Sequence, residues 1–281
     1  MTRRPMTRRP RVPDLAGEML AEFAGTMILI LFGVGVVAQV VASEGTLGDH
    51  DSIAWAWGIG VTMGVYVSAR ISGGHINPAV TLALAVFKGF PWRKVIPFWF
   101  AQWLGAFVAA LLVRWDYTEV LHKFDPDLTI KSQFVFSTLP GNGALPIHTW
   151  GAFRDQVIGT AILLFVVLAL TDLRNAPPLA NLGPFIIGLL VVGIGMAWGT
   201  DAGYAINPAR DLGPRLAQYL TGYSTAWRDQ YGDLYFWVPI VGPFIGGVLG
   251  AGLYLLLVGR NIPEEEEGPG GAMPEPEYDV P

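Results

Sequence analysis

The sequence predicts an all-α membrane protein with six membrane-spanning helices and two shorter, re-entrant half-helices arranged as an inverted repeat. Three observations predict this fold. Hydrophobic residues make up 52% of the 281 residues and charged residues only 15%, whereas charged residues are about 25% of an ordinary soluble domain. The charges cluster and leave long apolar runs. The tripeptide Asn-Pro-Ala occurs twice, each time outside those runs.

Six charge-free runs reach or approach the length of about 20 residues that crosses about 30 Å of hydrocarbon. The two shortest runs can be extended by flanking residues whose long side chains reach the interface. Each run therefore predicts one span. The runs cover residues 23–43, 52–69, 95–113, 156–171, 176–200 and 234–259.

The two Asn-Pro-Ala motifs each predict the start of a short helix, because Asn is a preferred N-cap and Pro a preferred first helical residue. The stretches 76–87 and 206–220 that contain them are largely apolar but too short to span, which is typical of re-entrant segments. Two such helix starts facing one another would favour neutral hydrogen-bonding solutes and repel cations. The motifs are Asn77-Pro78-Ala79 and Asn207-Pro208-Ala209.

An internal repeat accounts for the duplicated motif. Residues 21–26 are echoed by residues 155–160, and residues 75–80 by residues 205–210, at offsets of 134 and 130. Three spans separate equivalent points, so the second half is inverted and the motifs can meet at the midplane. The backbone carbonyls that a re-entrant loop leaves unpaired are tolerable only along a wet cavity. The sequence therefore predicts a pore with a ladder of carbonyl acceptors.

The predicted channel unit covers residues 14–259, with inverted halves at about 14–114 and 151–259. A basic segment, residues 1–13, precedes it and an acidic tail, residues 260–281, follows it; the tail has too little apolar content to fold and is predicted to be disordered. Placing both ends in the cytoplasm puts eleven of the eighteen Lys and Arg on that side, as the positive-inside rule requires. The chain has no cysteine, which excludes disulfides and thiolate metal sites.

With these motifs, residues 14–259 resemble the aquaporin (major intrinsic protein) superfamily, and within it the aquaglyceroporin or glycerol-facilitator branch. The resemblance to the family depends on the two Asn-Pro-Ala motifs and on the sequence of residues 21–26, near the start of the first span. The branch is indicated by Asp211 directly after Arg210, where water-selective members usually have a small residue. Five positions that commonly separate the branches suit the glycerol side, and they are Tyr117, Asp211, Arg215, Pro239 and Ile240.

The resemblance implies a passive channel for glycerol, small polyols and water that excludes ions and protons. It implies a homotetramer with one pore per subunit, embedded in the lipid bilayer of the plasma or inner membrane, without enzyme activity, metal or cofactor and without a nucleic-acid partner. A water-preferring channel, or a channel for urea or metalloid acids, is the alternative.

By spacing from the two motifs, the resemblance places the selectivity constriction at four residues: Trp57, Gly195, Tyr204 and Arg210. Trp57 and Tyr204 would offer apolar faces to the carbon skeleton of a polyol, while the guanidinium of Arg210 offers several donors in a fixed fork. Gly195 takes the position that is His in strict water channels. It would leave room for a hydroxylated carbon.

Structural support is expected from three further residues, Glu22, Gln156 and Asp211. In the family Glu22 braces a re-entrant loop, and Gln156 is its counterpart where many relatives have Glu. An amide can still accept from backbone N–H groups. Candidates for the carbonyl ladder are Gly73, Gly74, His75, Asp201, Ala202 and Gly203.

Other classes of function fit the sequence less well than a channel does. A secondary transporter also has inverted repeats and broken helices, but ion coupling requires carboxylates near the midplane, and Glu22 is the one acid expected inside a span. An enzyme requires a nucleophile or an acid and base pair, and no such constellation lies near the predicted pore. A scaffold with a sealed pore remains a further alternative.

Overall fold

The structure, a computed structural model, describes residues 13–263, and the predictions for the basic N-terminal segment and for most of the acidic tail lie outside this range. The described part is almost entirely helical, apart from loops, short turns and one isolated bridge between Arg228 and Leu234. Its ten α-helices are α1 Leu15–Ala42, α2 His50–Ser72, α3 Pro78–Phe87, α4 Trp92–Asp116, α5 Thr118–Phe124, α6 Ile130–Gln133, α7 Thr149–Thr171, α8 Gly183–Ala202, α9 Pro208–Leu220 and α10 Val238–Leu257.

Six helices, α1, α2, α4, α7, α8 and α10, are long and apolar enough to cross a membrane, which confirms the prediction of six spans. Some of these helices begin at residues other than the first residue of the charge-free run. Helix α7 begins seven residues before the run at 156–171. Helix α8 begins seven residues after the start of the run at 176–200, because Ala180 and Asn181, just before it, lie in the left-handed region.

The two Asn-Pro-Ala motifs start the short helices α3 and α9. The side chain of Asn77 accepts from the backbone N–H of Ala79 at 2.8 Å, and that of Asn207 from Ala209 at 3.1 Å, as N-caps do. Both helices begin two residues later than the predicted stretches. The reason is that the residue before each Asn lies in the left-handed region rather than the helical one.

Helix packing repeats between the halves. Helix α1 packs on α2 and α4, and in the same way α7 packs on α8 and α10. Each short helix packs against the last helix of the other half, α3 on α10 and α9 on α4. The half-helices thus hold the two halves together, and their N-terminal ends meet inside the bundle.

Small residues allow the closest of these contacts. Gly246 and Gly250 of α10 lie directly against the backbone carbonyls of Val157 and Ala161 of α7, where any side chain would clash. Such close approach is a common way for membrane helices to pack. The glycine row of α10 therefore packs within the subunit.

Candidate functional site

The residue before each motif asparagine is strained. Ile76 and Ile206 both have φ of 42°, a left-handed conformation that costs a non-glycine residue about 1–3 kcal/mol. Each is held at its backbone N–H by a buried side chain from the first helix of its own half. The N–H of Ile76 donates to Glu22 at 2.7 Å, and that of Ile206 to Gln156 at 2.9 Å.

The same two isoleucines are held at their carbonyls by the opposite motif. The side-chain amide of Asn207 donates to the carbonyl of Ile76 at 2.9 Å, and that of Asn77 donates to the carbonyl of Ile206 at 2.9 Å. A primary amide has two N–H groups, so each asparagine retains a second donor beyond this cross-bond. Both asparagines line the cavity described below.

The two buried bracing side chains are not equivalent. The carboxylate of Glu22 also accepts from the hydroxyl of Ser72 at 2.6 Å, the backbone N–H of His75 at 2.9 Å and the amide of Gln102 at 2.7 Å. Gln156 instead donates its own amide to the carbonyl of Ala202 at 2.8 Å. The first loop is therefore held by an acceptor alone, and the second by an acceptor and a donor.

Two cavities lie in the middle of the bundle. The inner cavity reaches both motif asparagines and is lined mostly by apolar side chains from α1, α2, α7 and α8. The outer cavity is more polar, with His50, Thr138 and Asn142 in its wall. The residues that line both cavities, and so form the boundary between them, are Trp57, Tyr204 and Arg210.

Arg210 is fixed from two sides at this boundary. Its Cζ lies 4.2 Å from the ring centroid of Trp57, and one guanidinium nitrogen donates to the carbonyl of Phe136 at 3.0 Å. Stacking of guanidinium on indole is favourable. Since a guanidinium has five N–H donors, several remain for other partners. No sequence pattern indicates the contact with the carbonyl of Phe136, which belongs to the irregular loop before α7.

Gly195 lies beside the boundary, on α8. A Cβ built there would lie 2.9 Å from Cζ of the Tyr204 ring and 3.1 Å from the Cβ of Ala54. The ring of Tyr204 therefore takes up the space that a side chain at position 195 would require. The sequence predicted that this space would stay open for a solute carbon, and the structure instead fills part of it with tyrosine.

Two polar side chains from other elements support α8 at this point. The helix departs from helical geometry at Trp198. His50, at the first turn of α2, donates through Nε2 to the carbonyl of Gly195 at 3.0 Å, and Asn142 donates to the carbonyl of Gly199 at 2.9 Å. His50 could have been found from the sequence, because it lies two helical turns before Trp57 on the same helix face. Asn142 carried no such signal.

Asp211 connects α9 to the loop of residues 134–148, between α6 and α7. Its carboxylate accepts from Nε of Arg215 at 2.7 Å and from the backbone N–H and hydroxyl of Thr138 at 2.8 and 2.6 Å. Arg215 also donates to the carbonyl of Thr138 at 2.7 Å. Both charged side chains are fully buried, and breaking a buried ion pair is strongly destabilising. The pair therefore fixes the loop that contributes Thr138 to the outer cavity.

The predicted carbonyl-ladder residues fall into two groups. Gly74 and His75 line the inner cavity, and Gly203 lines the outer one. Among the residues lining these two cavities in the described range, Gly73, Asp201 and Ala202 do not occur. Asp201 and Ala202 lie in the last turn of α8 rather than in a loop, and the carbonyl of Ala202 accepts from the side chain of Gln156. The inner-cavity loop residues that the sequence reasoning missed are Ile76, Ala205 and Ile206.

Comparisons with known proteins agree with this architecture. The family model described as Major intrinsic protein matches residues 10–254. The chain is 43% identical over 282 residues to the glycerol uptake facilitator protein of Pseudomonas aeruginosa, covering 96% of this chain and 98% of that protein. It is 41% identical over 264 residues to aquaporin-10 of Milnesium tardigradum, covering 89% of this chain but only 64% of the relative's length. The solved structure of the aquaglyceroporin from Plasmodium falciparum matches with a TM-score of 0.77 and 32% identity, covering 86% of this chain and 96% of that one.

Proposed function

Because this chain belongs to the major intrinsic protein family, we propose that it is a passive membrane channel for glycerol and similar small neutral solutes, which also passes water and excludes ions and protons. One observation carries this proposal. Trp57, Tyr204 and Arg210 form the boundary between two cavities inside the bundle, so a solute that moves from one cavity to the other passes between two aromatic rings and a guanidinium.

The chemistry of that boundary suits a polyol. The rings of Trp57 and Tyr204 can pack against the carbon skeleton, and the remaining donors of Arg210 can bind the hydroxyl oxygens. We assign the selectivity constriction to these three residues together with Gly195, whose lack of a side chain admits the Tyr204 ring. The names of the glycerol uptake facilitator and aquaglyceroporin relatives support the same choice of solute.

Beyond the boundary, the inner cavity leads to the two motif asparagines. Their second N–H groups can bind a passing hydroxyl or water as an acceptor, which would interrupt a continuous chain of hydrogen-bonded water. The N-terminal ends of α3 and α9 add a positive potential at the same place, and Arg210 adds a full charge nearby. We assign ion and proton exclusion to this combination.

The exterior of the bundle suits a lipid bilayer. Large aromatic side chains such as Trp92, Trp115 and Trp150 are well exposed on the spanning helices, as expected for residues at a membrane interface. We propose a multi-pass protein of the cell membrane with both ends cytoplasmic, in which residues 14–259 form the channel unit and four copies assemble with one pore each. A channel of this kind would have no enzymatic activity, cofactor or nucleic-acid partner.

The test is solute flux into reconstituted vesicles, followed by light scattering after rapid mixing. Vesicles with the protein should shrink and then reswell in glycerol much faster than empty vesicles, and should not reswell in sucrose. A protonophore and replacement of sodium should leave the rate unchanged. Rapid water flow with glycerol entry no faster than in empty vesicles would favour a water-preferring channel. Glycerol entry that collapses with the protonophore would favour a coupled transporter.

A further inference from the structure

Helix α8 departs from helical geometry at Trp198, and a side chain from another helix holds the turn around this residue. Nε2 of His50, at the start of α2, lies 3.0 Å from the carbonyl of Gly195. A carbonyl can only accept, so Nε2 carries the hydrogen of this bond. In a regular helix the same carbonyl accepts from the backbone N–H four residues later, which here belongs to Gly199. Insertion of a side chain into this ladder is one of the causes of helix kinks.

The same imidazole occupies the space beside Gly199. A Cβ built at Gly199 would lie 2.4 Å from Cε1 and 2.9 Å from Nε2 of His50, which is closer than nonbonded atoms approach. The absence of a side chain at this buried glycine therefore makes room for the ring of His50. His50 thus contacts both ends of the 195–199 turn, by a hydrogen bond at one end and by packing at the other.

The ring of Tyr204 lies against the same turn. The Cβ built at Gly199 would lie 3.5 Å from Cδ1 of this ring, and one built at Gly195 would lie 2.9 Å from its Cζ. His50 and Tyr204 both line the outer cavity, and Tyr204 also lines the inner one. Because both rings approach the turn at Gly199, a movement of the turn would also move a wall of the boundary between the cavities.

We propose that His50 is a specificity-determining residue of the channel that acts by positioning: it holds the 195–199 turn of α8 against the ring of Tyr204, and thereby limits the size of the solutes that cross the boundary. This inference rests on the proposed function. It assigns to His50 an effect on selectivity that is exerted through the backbone of α8.

The experiment compares His50→Ala with the unchanged protein in reconstituted vesicles, using glycerol, erythritol and xylitol as probes. These polyols lengthen by one hydroxylated carbon at each step. Loss of the imidazole frees the carbonyl of Gly195 and the space beside Gly199, so the ring of Tyr204 can move away from the boundary. The permeability ratios of erythritol and xylitol to glycerol should rise about two- to tenfold, the factor by which one neutral hydrogen bond shifts an equilibrium. Water permeability, measured on the same vesicles, shows whether the variant forms an open pore.

Two further variants separate positioning from folding. His50→Gln retains a side-chain amide that can donate to the carbonyl of Gly195, and its polyol ratios should lie closer to those of the unchanged protein than to those of His50→Ala. Gly199→Ala places a methyl group where Cε1 of His50 now lies, but at an ordinary contact distance from the ring of Tyr204. It should displace the imidazole and raise the ratios as well. When His50→Ala and Gly199→Ala are combined, the increases should not add, because both changes remove the same contact.

The matched control is His148→Ala, which removes an exposed imidazole that stacks on the ring of Tyr231, with ring centroids 4.5 Å apart. His148 is not among the described residues that line either cavity. Its polyol ratios should equal those of the unchanged protein. A rise in this control as large as that in His50→Ala would show that the effect does not come from the 195–199 turn, and it would overturn the inference.

Unchanged polyol ratios in His50→Ala, with an open pore and with normal glycerol entry in the unchanged protein, would overturn this inference and leave the proposed function standing. Glycerol entry no faster than in empty vesicles for the unchanged protein would overturn both. If His50→Ala vesicles lack water flow, Gly199→Ala gives the deciding measurement. Polyol ratios in Gly199→Ala equal to those of the unchanged protein would likewise overturn the inference.

Discussion

The side-chain amide of Asn207 donates a 2.9 Å hydrogen bond to the backbone carbonyl of Ile76 in the opposite re-entrant loop. Asn77 makes the matching bond to Ile206. Each asparagine thus caps its own half-helix with its oxygen and holds the other loop with its nitrogen. The cross-bonds bring the N-terminal ends of α3 and α9 together at one point in the bundle.

The first prediction concerns the place where the N-terminal ends of α3 and α9 meet. Asn207→Asp keeps an oxygen for the helix cap but replaces the donor to Ile76 with a carboxylate oxygen, and it places a negative charge between two positive helix ends. We expect a cation leak, measured as membrane conductance under a voltage ramp. Asn261→Asp is the control, because it removes a similar side-chain bond, to the carbonyl of Leu257, outside the bundle's centre. An electrically silent Asn207→Asp would show that this asparagine does not take part in cation exclusion.

The second prediction concerns the full charge of the constriction. Arg210→Val deletes the guanidinium that stacks on Trp57 and donates to Phe136, while both helix ends remain. We expect proton and alkali-cation currents to rise above those of the unchanged protein. The control variant Arg70→Val changes an exposed residue at the end of α2. Its current should not rise above that of the unchanged protein. Proton current in the unchanged protein would contradict the exclusion mechanism, and a silent Arg210→Val would mean that the helix dipoles suffice.

The third prediction concerns Gly195 on α8, against which the ring of Tyr204 packs. Gly195→His introduces a side chain where the ring of Tyr204 now lies, so the ring must move into the boundary. Glycerol flux should fall much more than water flux, because the narrower opening still admits water. Gly193→His is the matched control on the same helix, since a Cβ at Gly193 would meet nothing within 4 Å. Equal losses of glycerol and water flux in Gly195→His would show that the site does not discriminate by size.

The helices of this fold could be predicted from the sequence because their signals are local. Charge-free runs of spanning length and an Asn-Pro start are properties of consecutive residues, and they locate the spans and both half-helices. Only the helix ends moved: α7 begins earlier than its charge-free run, left-handed Ala180 and Asn181 delay α8, and left-handed Ile76 and Ile206 delay the half-helices.

The walls of the candidate site were less accessible to sequence reasoning. Two contacts of the site come from the irregular segment before α7: the Phe136 carbonyl accepts from Arg210, and Asn142 donates to the carbonyl of Gly199. That segment has no periodic pattern that would indicate which of its residues face the cavities. These two contacts are set by tertiary packing between distant segments, and no local pattern specifies them. The Tyr204 ring packs on Gly195 and Gly199 of the preceding helix, α8, but which way the chain turns after that helix is not specified by a periodic pattern.

The fourth prediction concerns the unequal bracing of the two loops. In Glu22→Gln, an NH₂ group replaces one of the oxygens that now accept from Ile76, His75, Ser72 and Gln102. At least one buried donor then loses its acceptor, at a cost of about 1–3 kcal/mol. The midpoint of thermal unfolding in detergent should fall.

The reverse exchange tests the second loop. In Gln156→Glu, the bond from Ile206 can persist, but the carbonyl of Ala202 loses its donor and faces a carboxylate. We expect a lower unfolding midpoint here too. Gln39→Glu provides the control, because Gln39 makes a similar amide bond to the carbonyl of Leu47 in an exposed position. A Gln156→Glu protein as stable as the original would show that Gln156 acts through its oxygen alone.

The fifth prediction concerns a charged cluster beyond the end of α7. Hydrogen bonds from Arg174 hold the pKa of Asp172 well below its usual range, and Lys88 and the hydroxyl of Tyr254 act in the same direction. The Nζ of Lys88 lies 3.7 Å from the carboxylate, and the guanidinium of Arg174 lies 2.8 Å from it. The cluster connects the loop after α3, the loop after α7 and helix α10.

Since the pKa of Asp172 is lower in the folded protein than in the unfolded chain, its ion pairs stabilise the fold fully above pH about 5 and progressively less as the pH falls through the unfolded value of about 3.9. The thermal unfolding midpoint of the unchanged protein in detergent should therefore drop between pH 6 and pH 3. The midpoint of Asp172→Asn should drop less over the same range, because position 172 then has no carboxylate to protonate. At pH 6 the variant should be the less stable of the two, and the difference should shrink towards pH 3. Asp127→Asn, at an exposed position between α5 and α6, should show the same pH dependence as the unchanged protein. Parallel curves for Asp172→Asn and the unchanged protein would show that the cluster does not contribute to stability through the charge of Asp172.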